Sequence, residues 1–303
     1  MSTSTAISIQ SAFDLNNQQA YEDWRDRKLD NYPDKAEQLI VEINDPMQLT
    51  KAEHQAIAER CNKSNMAIYS SKAVSNPGGN LDKRIALQLA RQFGLHKLDH
   101  NMGADDDGIT SLQVSHTEGR EHYIPYTRKA IHWHTDGYYN SLNKQVHALC
   151  LHCVRPAQEG GENALLDHEM AYIRLRDKNP EHIHALMQPE AMSIPANINK
   201  GTLIRPERCG PVFSVRSNNT LHMRYTERMQ SINWFKNSAT QAAVAALEQL
   251  LHSGDSAIYR CTLQPGQGLI SNNVLHDRSA FIDEKNATRL LYRLRYFNAL
   301  NLG

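Results

Sequence analysis

Two histidines and an aspartate occur within five positions of the segment IHWHTDGYYN, residues 131–140. In an extended strand, side chains two positions apart project from the same face, so His134 and Asp136 are expected to point together. A neutral imidazole and a carboxylate suit a divalent metal such as iron(II) that keeps open coordination positions. Taken alone, the pattern is met more often at the polar edge of a strand than at a metal.

A third ligand from a distant segment would complete such a site. His276 ends a strand-like run in GLISNNVLHDRSAF, which follows the turn-forming residues QPGQG. If the two strands pack side by side, His276 joins His134 and Asp136, and two histidines with one carboxylate form a facial triad. His132 shares the strand face of His134, but a triad needs only three ligands. We interpret His132 as a supporting residue, a substrate neighbour or a plain surface residue.

The segments around these residues have the pattern of β-strands. From about Ile109, short runs rich in Ile, Val, Tyr and Leu follow one another, namely ITSLQVS, REHYIPY, KAIHWHTD, QVHALCLHCV and NALLD. SAIYRCTL, GQGLISNNVLH and ATRLLYRLRYFNAL resume the pattern near the end of the chain. The interval between them predicts helices that begin at the N-cap residue Asp167, a hairpin of GPVFSV with TLHMRY, and the helix SATQAAVAALEQLLHSG.

This pattern predicts a mostly β fold with flanking helices, in the α+β class. The β core would be assembled from about residues 109–166 and 257–298, with an insertion at about 167–256. Residues 1–108 are predicted to be helical and mixed, with NMAIYSS as a strand between two helices. No repeat and no Pro- or Gly-rich linker divides the chain, so residues 1–303 are expected to form one domain.

The composition excludes several classes of partner. Thirty-three basic residues balance thirty-three acidic ones, so no net field favours nucleic acid, an anionic membrane or an acidic protein. No export signal and no run of about eighteen apolar residues is visible. Five cysteines are few and odd in number, which favours a reducing compartment, and we expect a cytoplasmic protein. The expected partner is a small molecule, and a homo-oligomer stays open.

Four motifs occur in series along the chain, HTD at 134–136, GGEN at 160–163, NNVLHDRSAF at 272–281 and RLLYR at 289–293. Their order and approximate spacing resemble the taurine dioxygenase and clavaminate synthase-like family of iron(II)- and 2-oxoglutarate-dependent oxygenases. The resemblance covers roughly residues 109–298. It implies a double-stranded β-helix, or jelly roll, in which His134, Asp136 and His276 hold Fe(II), with 2-oxoglutarate and O2 as co-substrates.

The last strand carries the residues that the resemblance assigns to 2-oxoglutarate. Arg289, Arg293 and Arg295 share one strand face, while the other face is apolar and aromatic. Guanidinium groups on such a face need anions, although a solvated strand edge is the alternative. By motif position, Arg289 is the first choice for the 2-oxoglutarate carboxylate and Arg293 the second. Asn163 stands where the family commonly has a supporting threonine, and its amide can donate the same hydrogen bond.

The resemblance also implies the type of reaction. Because Asp136 retains the carboxylate that family halogenases lack, hydroxylation or desaturation of a C–H bond is expected, with succinate and CO2 as co-products. The substrate is expected to be a small polar metabolite that is amino-acid-like or bears a carboxylate or sulfonate. The residues predicted to contact it are Tyr138, Tyr139, Gln113, Ser115, His132 and Arg295.

Two other functions fit parts of the sequence. A non-catalytic jelly-roll binding protein could retain the metal structurally, and a zinc or manganese cupin-like isomerase or hydrolase could use the same ligands. Neither explains why Arg289 and Arg293 should face the site. The CLHC segment, Cys150 to Cys153, is half of a zinc site, but it also has the pattern of a buried strand, and we favour packing.

Overall fold

A computed structural model describes residues 11–72, 80–100, 104–115, 123–199, 201–228, 230, 232–285 and 287–303. The α-helices within these ranges are α1 (Gln18–Leu29), α2 (Lys51–Ser64), α3 (Asn80–Gln92), α4 (His168–Lys178), α5 (Pro180–Leu186) and α6 (Ser238–Leu251). Short 3-10 helices occur at Ala36–Leu39, Ile124–Tyr126 and Leu142–Lys144. None of the helices in the described ranges has the length and hydrophobicity that a bilayer crossing requires.

The strands of the described residues are β1 (Ile40–Ile43), β2 (Met66–Ser71), β3 (Thr110–Leu112), β4 (Ile131–His134), β5 (Ala148–Arg155), β6 (Glu159–Gly160), β7 (Asn163–Leu166), β8 (Met192–Ile194), β9 (Asn197–Asn199), β10 (Thr202–Arg205), β11 (Arg208–Gly210), β12 (Phe213–Val215), β13 (Leu221–Met223), β14 (Asn233–Trp234), β15 (Ile258–Cys261), β16 (Gln267–Ser271), β17 (Leu275–Arg278), β18 (Phe281–Ile282) and β19 (Leu290–Tyr296). The larger sheet has the order β1-β2-β16-β5-β19-β3, and a second sheet has the order β15-β7-β17-β4.

Apolar side chains from these two sheets meet in one buried cluster. Leu151, Leu269 and Leu291 come from the larger sheet, and Leu165 and Tyr259 come from the smaller one. Because strand side chains alternate between faces, this cluster identifies the inner face of each sheet. The two sheets therefore pack face to face, and the residues on their inner faces border the space between them.

Helices cover the outer face of each sheet. Tyr172 of α4 and Leu247 of α6 pack with Leu275 of the smaller sheet. On the other side, Ile57 of α2 and Leu89 of α3 pack in the cluster that holds the outward side chains of β5 and β19. The molecule is thus a mixed α/β structure in which layers of helix enclose two packed sheets.

A capping box forms the start of α2. The Thr50 side chain accepts a hydrogen bond from the Glu53 backbone N–H, and the Glu53 carboxylate accepts from the Thr50 N–H at 2.7 Å. The helix ends at Asn65, which adopts a left-handed φ of 57°. These contacts satisfy backbone groups that the helix itself leaves unpaired, so the local sequence determines both ends of α2.

Three expectations about the strands are corrected. In REHYIPY, the part that the structure describes contains a 3-10 helix at Ile124–Tyr126 instead of a strand, with Pro125 favouring the turn; residues 116–122 lie outside the described residues. GQGLISNNVLH is divided into β16 and β17, which belong to different sheets, because Asn273 takes a left-handed φ of 53°. The larger sheet also contains β1 and β2, which precede residue 109.

Candidate active site

The three metal-ligand candidates meet where two strands of the smaller sheet pair. β4 ends at His134, and His134 pairs directly with His276 of the antiparallel strand β17. Asp136 lies in the turn that follows β4. Atoms of these three side chains that can bind a metal all lie within 4.8 Å of one another. Residues that are far apart in the sequence are therefore close enough to share one ion.

Both imidazole rings present a free nitrogen to the same space. The Nδ1 atom of His134 lies 2.9 Å from the His132 carbonyl oxygen, and that of His276 lies 2.9 Å from the Val274 carbonyl oxygen. A carbonyl only accepts, so each Nδ1 carries the proton and each Nε2 has a lone pair available. Burial, followed by the neighbouring His276, lowers the pKa of His134 to about 3, which keeps this ring neutral.

The Asp136 carboxylate is held in its ionised form. Burial alone would raise the pKa of Asp136, but the guanidinium groups of Arg293 and Arg295 outweigh it and hold that pKa well below its usual range. Oδ1 accepts a hydrogen bond from Arg293 at 3.1 Å, whereas Oδ2 is buried without a hydrogen-bond partner among the described residues, 3.8 Å from His276 Nε2. An unpaired buried carboxylate oxygen beside two imidazole lone pairs fits a divalent cation.

Asn273 fixes the turn that carries Asp136. Its side-chain oxygen accepts from the Asp136 N–H at 2.8 Å, and its amide nitrogen donates to the carbonyls of Asp136 at 2.9 Å and Val146 at 2.7 Å. Asn273 is 2% exposed. The sequence analysis used this residue only as part of a motif. Asparagine tolerates a left-handed φ, and this local property could have identified Asn273 as a turn residue.

A cavity beside the ligand cluster contains buried guanidinium groups. Arg289 and Arg293 line this cavity together with His134 and His276. Arg289 is 4% exposed, and burial lowers the pKa of its guanidinium. Its backbone N–H donates to Asp283, but in the described part of the chain no side chain or carbonyl accepts a hydrogen bond from the guanidinium. The Asp283 carboxylate attracts this guanidinium without pairing with it directly, so the buried cation still favours an anionic ligand.

Asn163 lines the same cavity but has a partner of its own. Its amide nitrogen donates to the Asp277 carbonyl at 2.8 Å, which leaves one amide hydrogen and the side-chain oxygen available. Arg293 has a side chain that is 11% exposed and lies between the cavity and Asp136. Arg289, Arg293 and Asn163 are therefore brought together with the metal-ligand candidates.

Arg295 lies beside Asp136 and Tyr139. It is 2% exposed, pairs with Asp99, and donates hydrogen bonds to Tyr139 Oη at 2.8 Å and Asp136 Oδ1 at 3.4 Å. All these partners are internal, so the guanidinium supports Asp136 and Tyr139, and its contact with a substrate stays a prediction. Asp99, which the sequence analysis missed, lies in a segment without any local signal of this role.

The chain matches the family described as "Taurine catabolism dioxygenase TauD, TfdA family" over residues 29–295. It belongs to this family. The description of this family names a dioxygenase, in agreement with the activity that the series of motifs predicts. Membership of a family named for a dioxygenase favours the oxygenase over the non-catalytic binding protein and the cupin-like isomerase or hydrolase.

Similar proteins include two uridine-5'-phosphate dioxygenases. The one from Amycolatopsis sp. is 32% identical over 172 residues, which are 55% of this chain and 61% of that protein. The one from Streptomyces sp. is 29% identical over 201 residues, 64% of this chain and 72% of that protein. The match to the first relative spans less than two thirds of its length. A solved structure of the non-heme iron oxygenase OrfP with Fe and α-ketoglutaric acid shares the fold, with a TM-score of 0.60 at 16% identity, covering 83% of this chain and 81% of that chain.

The remaining substrate candidates of this TauD/TfdA dioxygenase are dispersed. Tyr138 and Tyr139 are both half-buried and pack edge to face, 5.2 Å apart between ring centroids. Gln113 is exposed just after β3, and Ser115 is half-buried, with its N–H donating to the Tyr126 carbonyl. Neither Gln113 nor Ser115 is among the described residues that line the cavity beside the metal-ligand candidates.

His132 is placed away from the metal-ligand cluster. Its side chain is 65% exposed and lies 3.8 Å from Glu227, while its backbone carbonyl orients the ring of His134.

Cys150 and Cys153 point to opposite faces of β5, because they pack in different buried clusters. Burial raises the pKa of Cys153 to about 12 and that of Cys150 further. Two protonated thiols on opposite faces do not form half of a zinc site.

Replacing Asn273 by alanine is expected to lower metal affinity without removing a ligand. Asp136 loses two backbone hydrogen bonds and Val146 loses one, and loss of such supporting partners typically costs roughly 10–100-fold in metal affinity. Titration of Fe(II) into the anaerobic protein with 2-oxoglutarate, followed by visible absorbance, measures this change. Asn272→Ala is the matched control, because Asn272 bonds to Asn65 and Leu300 instead. Equal affinity losses in the two variants would contradict the positioning role of Asn273.

Proposed function

We propose that His134, Asp136 and His276 bind the Fe(II) of this dioxygenase within a double-stranded β-helix, or jelly-roll, core. The observation that supports this most directly is the unpaired Oδ2 of Asp136, which lies beside the available Nε2 atom of His276. The single-domain division predicted from the sequence is part of the proposal. So is a cytoplasmic location, which the unpaired thiols of the five cysteines favour.

Arg289 is proposed to receive the far carboxylate of 2-oxoglutarate. Its guanidinium is buried, forms no direct ion pair in the described part of the chain, and borders the cavity that His134 and His276 also border. A bidentate guanidinium–carboxylate pair would neutralise this charge. Arg278 lies nearby, but its Nη2 already donates to the Thr127 and Lys129 carbonyls. Asn163 would add a hydrogen bond from its remaining amide hydrogen.

Bound iron would supply the oxidising centre at which 2-oxoglutarate is converted to succinate and CO2. The chain's own residues then have three tasks. Arg293 and Arg295 keep Asp136 ionised, the His132 and Val274 carbonyls keep the two imidazoles oriented, and the buried surroundings exclude water.

The proposed reaction is hydroxylation or desaturation of a C–H bond in a small anionic metabolite. The formal charge of the chain is balanced, yet guanidinium groups are concentrated at the site, which favours a substrate with a negative group. The sequence analysis names carboxylates and sulfonates as such groups. The two sequence relatives are called uridine-5'-phosphate dioxygenases, which adds phosphate esters to this class.

Substrate-dependent succinate formation tests this proposal. Purified protein with Fe(II), 2-oxoglutarate and O2 is offered pairs of compounds that differ only in an anionic group, such as uridine 5'-phosphate and uridine, or an amino acid and its amide. We expect succinate release to need both O2 and 2-oxoglutarate, and to rise with the anionic member of at least one pair. Equal stimulation by both members of every pair would contradict an anionic substrate.

A further inference from the structure

Four arginines on strands of the insertion, or directly after one of them, have no acidic partner. They are Arg205, Arg208, Arg216 and Arg224, and none of them forms an ion pair within the described residues. Glu207 is adjacent in sequence to Arg208, but its carboxylate accepts a hydrogen bond from Ser193 instead. Unpaired guanidinium groups that are partly or fully withdrawn from water create a local positive potential.

These arginines differ in what their side chains already contact. Arg224 is 2% exposed and donates to the backbone carbonyls of Met192, Gly210 and Arg208, so it holds neighbouring strands together. Arg205 is half-buried and, within the described ranges, donates to two carbonyls, those of Pro195 at 2.7 Å and Pro206 at 3.2 Å. A guanidinium has five N–H donors, which leaves three on Arg205 for a ligand.

Arg205 is also the member of this group that is connected to the metal-ligand candidates through Tyr139. Its guanidinium carbon lies 6.0 Å from the centre of the Tyr139 ring. The Tyr139 hydroxyl accepts a hydrogen bond from Arg295, and Arg295 contacts the metal-ligand candidate Asp136 at 3.4 Å. Only two side chains therefore separate Arg205 from Asp136.

We propose that Arg205 and Arg208 form a subsite for the phosphate group of a phosphate monoester substrate, next to Tyr139. This inference rests on the proposed function, because it assigns one end of the substrate of the same site. Arg208 contributes its charge beside Arg205, and its buried Nε has no partner. A phosphate monoester is close to doubly charged and has three acceptor oxygens, which suits two guanidinium groups better than a single carboxylate does.

The position of the subsite separates the substrate anion from the co-substrate. Arg289 and Arg293 line the cavity beside the two histidines, whereas Arg205 and Arg208 lie on β10 and β11 of the insertion. The dicarboxylate and the phosphate would thus be bound by different groups of arginines. The residues of the insertion would determine the class of anion that the enzyme accepts.

Binding of matched pairs of compounds to the intact protein tests this subsite. Uridine 5'-phosphate and uridine, and glycerol 3-phosphate and glycerol, are titrated by calorimetry without oxygen, with Fe(II) and 2-oxoglutarate present. The wild-type protein should prefer at least one phosphate over its neutral partner by roughly tenfold or more, and Arg205→Gln should reduce that preference by roughly ten- to hundredfold. Arg205→Lys, which keeps the charge but loses the planar donor pair, should lie between the two.

Arg216→Gln is the matched control for Arg205→Gln. Arg216 is also a half-buried arginine of the insertion without an acidic partner, and burial lowers the pKa of both side chains. If both variants lose phosphate preference equally, the arginines act through a general positive potential, and the proposed subsite is wrong. A wild-type protein with no phosphate preference also overturns the subsite, while succinate formation with a carboxylate or sulfonate would leave the proposed function intact.

Discussion

Asp136→Ala is expected to abolish the iron site and with it succinate formation. The carboxylate contributes the only anionic group among the three clustered candidates, so metal affinity should fall by more than the roughly 10–100-fold that loss of a supporting partner costs. The variant should also be less stable, because Arg293 and Arg295 lose a buried carboxylate. Removing one partner of a buried ion pair typically costs about 3–5 kcal/mol of unfolding free energy.

Two measurements separate these effects of Asp136→Ala. Anaerobic addition of Fe(II) and 2-oxoglutarate should give a visible charge-transfer band in the wild-type protein and none in the variant, and denaturant unfolding reports the stability. Asp277→Asn is the control, since Asp277 is next to His276 but accepts from the Ala164 N–H. A band of full strength in Asp136→Ala would show that the metal lies elsewhere.

The sequence could predict that the three metal-ligand candidates lie together, but the structural reason differs in part from the predicted one. The strand that contains His134 ends at that residue, so a shared strand face does not place Asp136. Asp136 is placed by the turn and by Asn273, which approaches from the start of β17. The order of the motifs identified the residues because it reflects which segments come together in the folded protein. The two-residue period of a strand describes only the local backbone.

The alternation on the last strand was predictable because it is a local property. Leu290, Tyr292 and Leu294 pack in the outer cluster, and Leu291 packs in the inner one, which confirms the predicted faces. The separation of Arg295 from the cavity was not predictable, since its partner Asp99 lies almost two hundred residues away. Periodicity gives the side of a strand on which a residue lies, while tertiary contacts decide whether that residue is available to a ligand.

Arg289→Ala is expected to weaken 2-oxoglutarate binding by about 2–5 kcal/mol, the usual cost of truncating one partner of a buried charge pair. Without 2-oxoglutarate, the same substitution should change stability less, because in the described part of the chain the guanidinium has no direct ion pair to lose. Its contact with the Phe281 ring, 5.2 Å from the guanidinium carbon to the ring centroid, is worth at most about 1–2 kcal/mol. The substitution should therefore weaken 2-oxoglutarate binding strongly and lower the stability of the ligand-free protein only weakly.

Ligand-induced stabilisation separates the loss of 2-oxoglutarate binding from the loss of protein stability. At 2-oxoglutarate concentrations of about 100 times the wild-type Kd, with metal present, the wild-type protein should gain about 2.7 kcal/mol of unfolding free energy, and Arg289→Ala should gain less than about 1 kcal/mol. Arg155→Ala is the control, because Arg155 is at the same end of the sheet, opposite Leu290, and donates to the Thr288 carbonyl. If Arg289→Ala keeps the full gain while Arg293→Ala loses it, Arg293 binds the carboxylate. In that case the unpaired charge of Arg289 must serve another anion, since a buried cation is otherwise an uncompensated cost to the fold.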